Sequence, residues 1–218
     1  MFPPWCVGCG VRGDFFCPTC LQALPRVRPP LCDRCGRPLP GGGPCPLCRD
    51  WPGDIDGVRS VFRFDGAVRQ AVHSLKYRNV KALAHPLAQL MAEYLACQRL
   101  PVDVVAPVPL HPARLRRRGY NQSQLLASEL AGLASLPLVE GALRRTKDTP
   151  PQARSGGIEE RHGNVADAFA CRGSEVRGRH CLLVDDVYTS GATLGACAAA
   201  LKAAGAREVW GLTLAMEI

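Results

Sequence analysis

Apolar and polar positions along residues 55–218 alternate in a way that predicts strands interleaved with helices. Residues 58–64 alternate apolar and polar side chains, which is typical of a half-buried strand. Continuous apolar runs predict buried strands at 102–108 and 181–184, with further strands at 138–143 and 207–215. Apolar residues at helical spacing or alanine-rich composition predict helices at 67–77, 82–100, 123–133 and 194–204.

Residues 1–54 lack this pattern and are dominated by cysteine. Eight of the twelve cysteines lie before residue 49, as four Cys-x-x-Cys pairs: Cys6/Cys9, Cys17/Cys20, Cys32/Cys35 and Cys45/Cys48. Two thiolates at this spacing reach one tetrahedral ion, and two pairs complete a four-sulfur site, so two zinc ions are expected. The simplest connectivity joins the first pair with the second and the third with the fourth. An interleaved connectivity stays open.

The cysteine-rich segment holds too few apolar residues to fold on burial alone, so we expect the metal to supply most of its folding energy. Disulfides and an iron–sulfur cluster are the alternatives. The chain has no 18-residue apolar run and no basic-then-apolar N-terminal stretch. We therefore expect a cytoplasmic protein without membrane insertion, with reduced cysteines, which favours zinc. The remaining cysteines stand in apolar surroundings and are predicted to be core residues: Cys97, Cys171, Cys181 and Cys197.

The stretch 181–194 carries the candidate chemistry. Its apolar run is followed by two acids, a turn of small residues and then the predicted helix 194–204. Backbone N–H groups at a helix start have no intrahelical partner, and the helix dipole there is positive, so this end of the helix suits an anion. The turn residues that would hold it are Thr189, Ser190, Gly191, Ala192 and Thr193. Asp185 and Asp186 can accept from sugar hydroxyls or help hold magnesium.

Three interpretations of this stretch compete. In the first, the two acids merely cap a turn, which leaves the small hydroxyl residues unexplained. The second is a Walker B strand, which requires a glycine-rich loop ending in Gly-Lys-Ser/Thr. None of the four lysines follows a glycine, so this interpretation fails. The third is ribose-phosphate binding, because the whole stretch resembles the phosphoribosyl pyrophosphate (PRPP) motif of type I phosphoribosyltransferases. That resemblance implies that the acids hold the ribose hydroxyls and the turn holds the 5′-phosphate.

A basic segment follows the predicted strand 102–108. Residues 110–122 are predicted to form a loop at the carboxyl end of that strand, where a pyrophosphate and its magnesium would lie. The residues predicted to hold the pyrophosphate are Arg114, Arg116, Arg117, Arg118 and Tyr120. The alternative is a solvated charge run. The net charge of +8 favours anionic partners such as nucleic acid, phosphates or a membrane surface.

The order of motifs along nearly the whole chain resembles the ComF family. The motifs are the Cys-x-x-Cys pairs, Leu75-Lys76-Tyr77, Arg118-Gly119-Tyr120-Asn121-Gln122, the series Gln152, Arg161, Asn164, and the PRPP motif. The resemblance implies an α/β fold, a type I phosphoribosyltransferase-like parallel sheet flanked by helices over 55–218, behind a double zinc ribbon over 1–54. It also implies a link to natural transformation, with single-stranded DNA and DNA-uptake machinery proteins as partners. The leucine usual after the family's glutamine is replaced here by Ser155-Gly156-Gly157.

Two functions follow from these expectations. The first is a ComF-like protein that retains a PRPP or ribose-5-phosphate site and handles incoming single-stranded DNA. The second is an active phosphoribosyltransferase on an unidentified small-molecule acceptor. No residue in the sequence supplies an evident general base, and no purine or pyrimidine pocket is recognisable, so the sequence assigns no catalytic residue. The basic segment 144–161 fits either a flap over the site or a linker.

Overall fold

The structure is a computed structural model that describes residues 4–48, 51, 53–146 and 168–218. The strands are β1 (Gly57–Arg63), β2 (Val104–Pro107), β3 (Leu143–Arg145), β4 (Phe169–Cys171), β5 (His180–Tyr188) and β6 (Glu208–Met216). The helices are α1 (Pro18–Gln22), α2 (Gly66–Tyr77), α3 (Ala84–Cys97), α4 (Pro112–Arg118), α5 (Gln122–Ala134) and α6 (Ala192–Ala203), with short 3₁₀ turns at Pro46–Cys48 and Lys81–Leu83.

Four parallel strands form the central sheet in the order β1-β6-β5-β2. Strand β5 lies between β6 and β2, and the residues from Cys181 to Val184 are all buried. Leu183 packs into the core on one face of the sheet, while Leu182 and Val184 pack into the core on the other. A strand that is covered on both faces has a continuous apolar run in its sequence, and this pattern predicted β5.

The cysteine-rich segment belongs to both cores. Helices α2, α3 and α5 cover one face of the sheet, and Phe16 and Leu24 from the N-terminal segment pack among their side chains. Helix α6 covers the other face, together with Val27 and the cysteines of the third and fourth Cys-x-x-Cys pairs. A boundary between two domains at residue 54 stays a prediction, because the two parts of the chain share their buried surfaces.

The N-terminal segment also covers the outer edge of β1. The backbone N–H of Val27 donates to the carbonyl of Val61 at 3.0 Å, and Arg63 N–H donates to the carbonyl of Pro25 at 2.7 Å. An uncovered strand edge offers unpaired backbone groups to other chains, and this pairing removes that exposure along β1.

Several sequence-based predictions differ from the structure. Of the four cysteines predicted to lie in the core, Cys181 and Cys197 are buried, but Cys97, the last residue of α3, is exposed and Cys171 is half-buried. The segment 110–122 is not a loop, because α4 occupies its middle. His111 accepts from the backbone N–H of Ala113, Pro112 takes the first helical position, and Gly119 ends the helix with φ +80°.

The predicted strand 138–143 is also wrong in extent. Leu138 makes a single parallel bridge to Val105, and the ladder further along is the short antiparallel pair β3–β4. The series Gln152, Arg161, Asn164 lies outside the described residues, as does the segment 144–161 beyond Thr146. None of the described helices combines the length and hydropathy needed to cross a bilayer.

The shared core generates a stability prediction for two leucines at the end of α1. Leu24→Ala removes a side chain that is 6% exposed and packed under the sheet, so it lowers the free energy of unfolding by about 2–5 kcal/mol. Urea denaturation followed by tryptophan fluorescence, to which Trp210 of β6 contributes, measures this. Leu21→Ala is the matched control, since Leu21 is 37% exposed; its effect stays below about 1 kcal/mol. A loss for Leu24→Ala as small as that of Leu21→Ala, below about 1 kcal/mol, would contradict the packing of Leu24 in the core of the sheet.

Candidate functional site

The turn between β5 and α6 presents free backbone N–H groups. Gly191 precedes the helix with φ +81°, and a Cβ placed there would lie 3.0 Å from the ring of Tyr188. Within the described part of the chain, the N–H groups of Thr193 and Leu194 have no hydrogen-bond partner, and Ala192 N–H has only a 3.5 Å contact to Ser190 Oγ. This is the arrangement that binds an anion at a helix N-terminus.

The first acid of the site keeps one oxygen available. Asp185 Oδ1 accepts from Ser123 Oγ at 2.7 Å and from the backbone N–H of Asp186 at 2.9 Å. Its Oδ2 has no hydrogen-bond partner among the described residues. Burial raises the pKa of Asp185 to about 7, and the neighbouring negative charge of Asp186 adds to the rise. A partly buried carboxylate with a free oxygen favours hydroxyl donors or a cation.

The second acid is committed to a lysine. Asp186 is 3% exposed, and its Oδ2 lies 2.5 Å from Nζ of Lys76 at the end of α2. Its Oδ1 accepts from the backbone N–H of Val187 at 3.0 Å. Burial lowers the pKa of Lys76, but the charge of Asp186 outweighs burial and raises it. Asp185 and Asp186 therefore differ in the oxygens that they can offer to a ligand.

Three arginines of α4 lie beside Lys76, the partner of Asp186. A cavity of about 210 Å³ lies beside Lys76, and its lining is largely cationic and aromatic: Lys76, Tyr77, Asn79, Arg114, Arg117, Arg118 and Tyr120. Residues three and four apart share a helix face, so Arg114, Arg117 and Arg118 reach the cavity together. Arg116 is exposed and is not part of this lining.

The motif that follows α4 connects the cavity to the acids. Tyr120 is buried, and its hydroxyl donates to the carbonyl of Leu75. Asn121 begins α5 by accepting from the N–H of Ser123 at 3.0 Å, and it donates to the carbonyl of Val108 at 2.9 Å. Gln122 accepts from Arg118. The motif therefore fixes the start of α5, from which Ser123 reaches Asp185.

Arg37, two residues after Cys35, makes hydrogen bonds to the backbone of the turn between β5 and α6. Its guanidinium donates to the carbonyl of Thr189 at 3.0 Å and to the carbonyl of Glu217 at 2.7 Å. The same group lies 5.8 Å from the ring centroid of Tyr188. The cysteine-rich segment thus contacts the backbone of the turn directly.

The eight N-terminal cysteines form two clusters, Cys6/Cys9/Cys17/Cys20 and Cys32/Cys35/Cys45/Cys48, and the four sulfur atoms of each lie within 4.8 Å of one another. Sulfur atoms of Cys9 and Cys17 are 3.7 Å apart, and those of Cys35 and Cys45 are 3.6 Å apart. A tetrahedral zinc with 2.3 Å bonds separates its sulfurs by about 3.8 Å, so the clusters fit zinc.

Two of these thiols have a pKa below the ordinary value for cysteine. Burial raises the pKa of Cys6, but backbone N–H donors led by that of Cys17 outweigh burial and lower it to about 6. The same balance, with donors led by the N–H of Cys35, lowers the pKa of Cys32 to about 6. Thiolates are the form that binds metal.

The clusters use the simple connectivity, first pair with second and third pair with fourth.

Sequence reasoning missed three residues of the site. Lys76 was visible only as part of a motif, and nothing in the sequence shows that it pairs with Asp186. Ser123 and Arg37 gave no signal, because each acts on a segment far away in the chain. Of the residues that were predicted, Arg116 stands apart from the cavity, while the other predicted arginines and Tyr120 come together there.

Comparisons with known proteins agree with this architecture. Residues 1–49 match the double zinc ribbon domain family, and residues 115–215 match the phosphoribosyl transferase domain family. The "DNA utilization protein YhgH" of Salmonella typhi is 33% identical over 205 residues, covering 89% of this chain and 88% of that protein. "Competence protein F" of Haemophilus influenzae is 31% identical over 199 residues, covering 85% of each.

Among solved structures, the glutamine PRPP amidotransferase from B. subtilis, complexed with ADP and GMP, aligns with a TM-score of 0.41 and 21% identity. The alignment covers 60% of this chain and 26% of that one, so the chain spans about a quarter of that protein's length. The relatives that match over most of their length, together with the two domain families, identify the chain. It belongs to the ComF family, in which a double zinc ribbon precedes a phosphoribosyltransferase-type domain.

Proposed function

We propose that this ComF-family chain binds PRPP or ribose 5-phosphate between β5 and α6 and uses the site while handling single-stranded DNA in natural transformation. The observation that supports the proposal most strongly is the set of free N–H groups at the start of α6, beside the unoccupied oxygen of Asp185. A sugar phosphate needs donors for its phosphate and acceptors for its hydroxyls, and this turn offers both next to each other.

Each part of the ligand has a defined counterpart in the proposal. The 5′-phosphate accepts from the N–H groups and hydroxyls of residues 189–193. A ribose hydroxyl donates to Asp185 Oδ2. The pyrophosphate takes the cationic cavity, where Arg117 and Arg118 supply positive charge. Magnesium in such sites is held chiefly by substrate phosphates plus one or two carboxylates, and it would neutralise charge on the pyrophosphate. Asp185 Oδ2 is the carboxylate oxygen proposed to bind it.

The two cysteine clusters are proposed to hold structural zinc. All four thiols of each cluster point to one centre, which leaves no ligand position for a substrate. Bound zinc would therefore hold the ribbon in shape, including the turn that carries Arg37.

The assignment to DNA handling rests on the relatives and on charge. The matching proteins carry the names "DNA utilization protein" and "Competence protein F". The net charge of +8 and the arginines of α4 suit a strand of phosphates. The partners proposed are single-stranded DNA and proteins of the uptake machinery, in the cytoplasm where the strand arrives.

Gly191→Ala tests the ribose-phosphate site. An alanine at φ +81° costs about 1–2 kcal/mol and also contacts the ring of Tyr188, so the turn changes shape and PRPP affinity falls at least about tenfold. Calorimetric titration with PRPP and magnesium measures the loss. Gly178→Ala is the matched control, because Gly178 has φ +71° and open space around it at the opposite end of β5. Unchanged binding by Gly191→Ala would contradict the proposal.

Metal analysis tests the zinc assignment. The wild-type chain is expected to carry two zinc ions, one for each cysteine cluster. Cys35→Ser removes a buried ligand of the second cluster and reduces the content to about one ion, since three ligands bind zinc far more weakly. Cys97→Ser, at an exposed cysteine outside both clusters, keeps both ions. Two ions in Cys35→Ser, or iron in place of zinc, would refute the assignment.

A further inference from the structure

Three rings form a row along α2, in which Phe64 is half-buried and packs against the core, whereas His73 and Tyr77 are exposed. The Phe64 and His73 rings stack with centroids 6.2 Å apart and planes at 29°, and the His73 and Tyr77 rings meet edge to face at 5.6 Å. We call these three residues the α2 aromatic row. It starts just before the helix, at the end of β1, and reaches the cationic cavity, which Tyr77 lines.

Tyr77 is exposed in a way that the fold does not explain. It is 69% exposed, whereas Tyr120 and Tyr188 are buried and Tyr94 is half-buried. The guanidinium of Arg118 lies 5.5 Å from the Tyr77 ring centroid. An exposed ring held by an arginine beside a cationic cavity has the character of a ligand-binding surface, because it gains little stability from burial.

The surroundings of the row are strongly positive. Residues 63–81 contain five cations, Arg63, Arg69, Lys76, Arg78 and Lys81, against one acid, Asp65, which caps α2. The charge of Lys76 is neutralised by Asp186 of β5, and the other four lie toward the surface around the row. Arg69 and Arg78 are exposed and form no salt bridge with any described residue. The α4 arginines continue the positive surface past Tyr77.

We propose that the α2 aromatic row is the base-stacking platform for single-stranded DNA, with backbone phosphates held by the arginines beside it and, when no pyrophosphate is bound, by the cationic cavity. This inference rests on the proposed DNA-handling function and assigns it a surface. Stacking on aromatic rings together with a positive track is how proteins bind single strands without reading their sequence.

The shape of the row favours a single strand over other anionic partners. A duplex hides the faces of its bases, so rings such as Tyr77 would gain no stacking from it. A phosphorylated small molecule would use the cavity but not the rings of His73 and Phe64. Only a strand with exposed bases engages both the row and the cations.

Tyr77→Ala tests the surface by fluorescence anisotropy with a labelled 20-residue oligo-dT. Removing one stacking ring weakens binding by about 5- to 100-fold, and Tyr77→Phe, which keeps the ring, binds within about twofold of wild type. The dependence on salt separates the two kinds of contact. Tyr77→Ala keeps the wild-type slope of log affinity against log salt, whereas Arg117→Gln reduces that slope by about 0.7.

Trp5→Ala is the control, since Trp5 is a 63% exposed ring with Arg12 beside it on the ribbon. It is expected to bind DNA like wild type. If wild type binds the strand but Tyr77→Ala binds equally well, or Trp5→Ala carries the loss, this surface assignment is overturned and the proposed function stands. If wild type ignores single-stranded DNA at low salt, both fail. Equal affinity for duplex, or higher affinity for matched RNA, also overturns the assignment.

Discussion

The first N–H groups of a helix have no intrahelical partners, and the candidate site of this structure depends on where α6 begins. That start lies at the carboxyl end of β5, a strand buried on both faces. A site in this position cannot shift without disturbing the core. The free amides therefore keep a fixed direction toward solvent, which is what recognition of a phosphate requires.

The neighbours of the turn approach from two sides. From the face covered by α2 and α5, Lys76 neutralises Asp186 and Ser123 orients Asp185. From the other side, Arg37 of the ribbon holds the carbonyl of Thr189. Removing one member of a buried ion pair leaves an uncompensated charge, so the Lys76–Asp186 pair ties α2 to β5 strongly. This tie also places the α2 aromatic row beside the site.

The ribbon is integrated with the sheet rather than appended to it. It pairs with the outer edge of β1, contributes Leu24 and Val27 to the two cores, and sends Arg37 to the turn. A segment so poor in apolar residues cannot hold these contacts without another source of order, and the two cysteine clusters supply one. In this chain, the contacts thus give a physical reason why the ribbon and the phosphoribosyltransferase-type domain depend on each other.

Local patterns made much of this predictable from the sequence. The spacing of the cysteines predicted both clusters. The apolar run predicted the first half of β5, which continues through both acids to Tyr188, and the helix that follows was predicted to begin two residues late. Helix α4 was missed because its arginines suggested a loop, although Pro112 and Gly119 are typical of helix ends. The contacts of Lys76, Ser123 and Arg37 could not be predicted, since each joins segments that only the tertiary fold brings together.

The most direct test of a turn braced by the ribbon is the PRPP affinity of Arg37→Met, measured by calorimetry with magnesium on protein of verified zinc content. Losing the hydrogen bonds to Thr189 and Glu217 is predicted to weaken binding by about fivefold or more while both zinc ions stay bound. Arg12→Met removes the same charge from the other end of the ribbon and is predicted to bind like wild type. Wild-type affinity in Arg37→Met, or equal losses in both variants, would contradict the account.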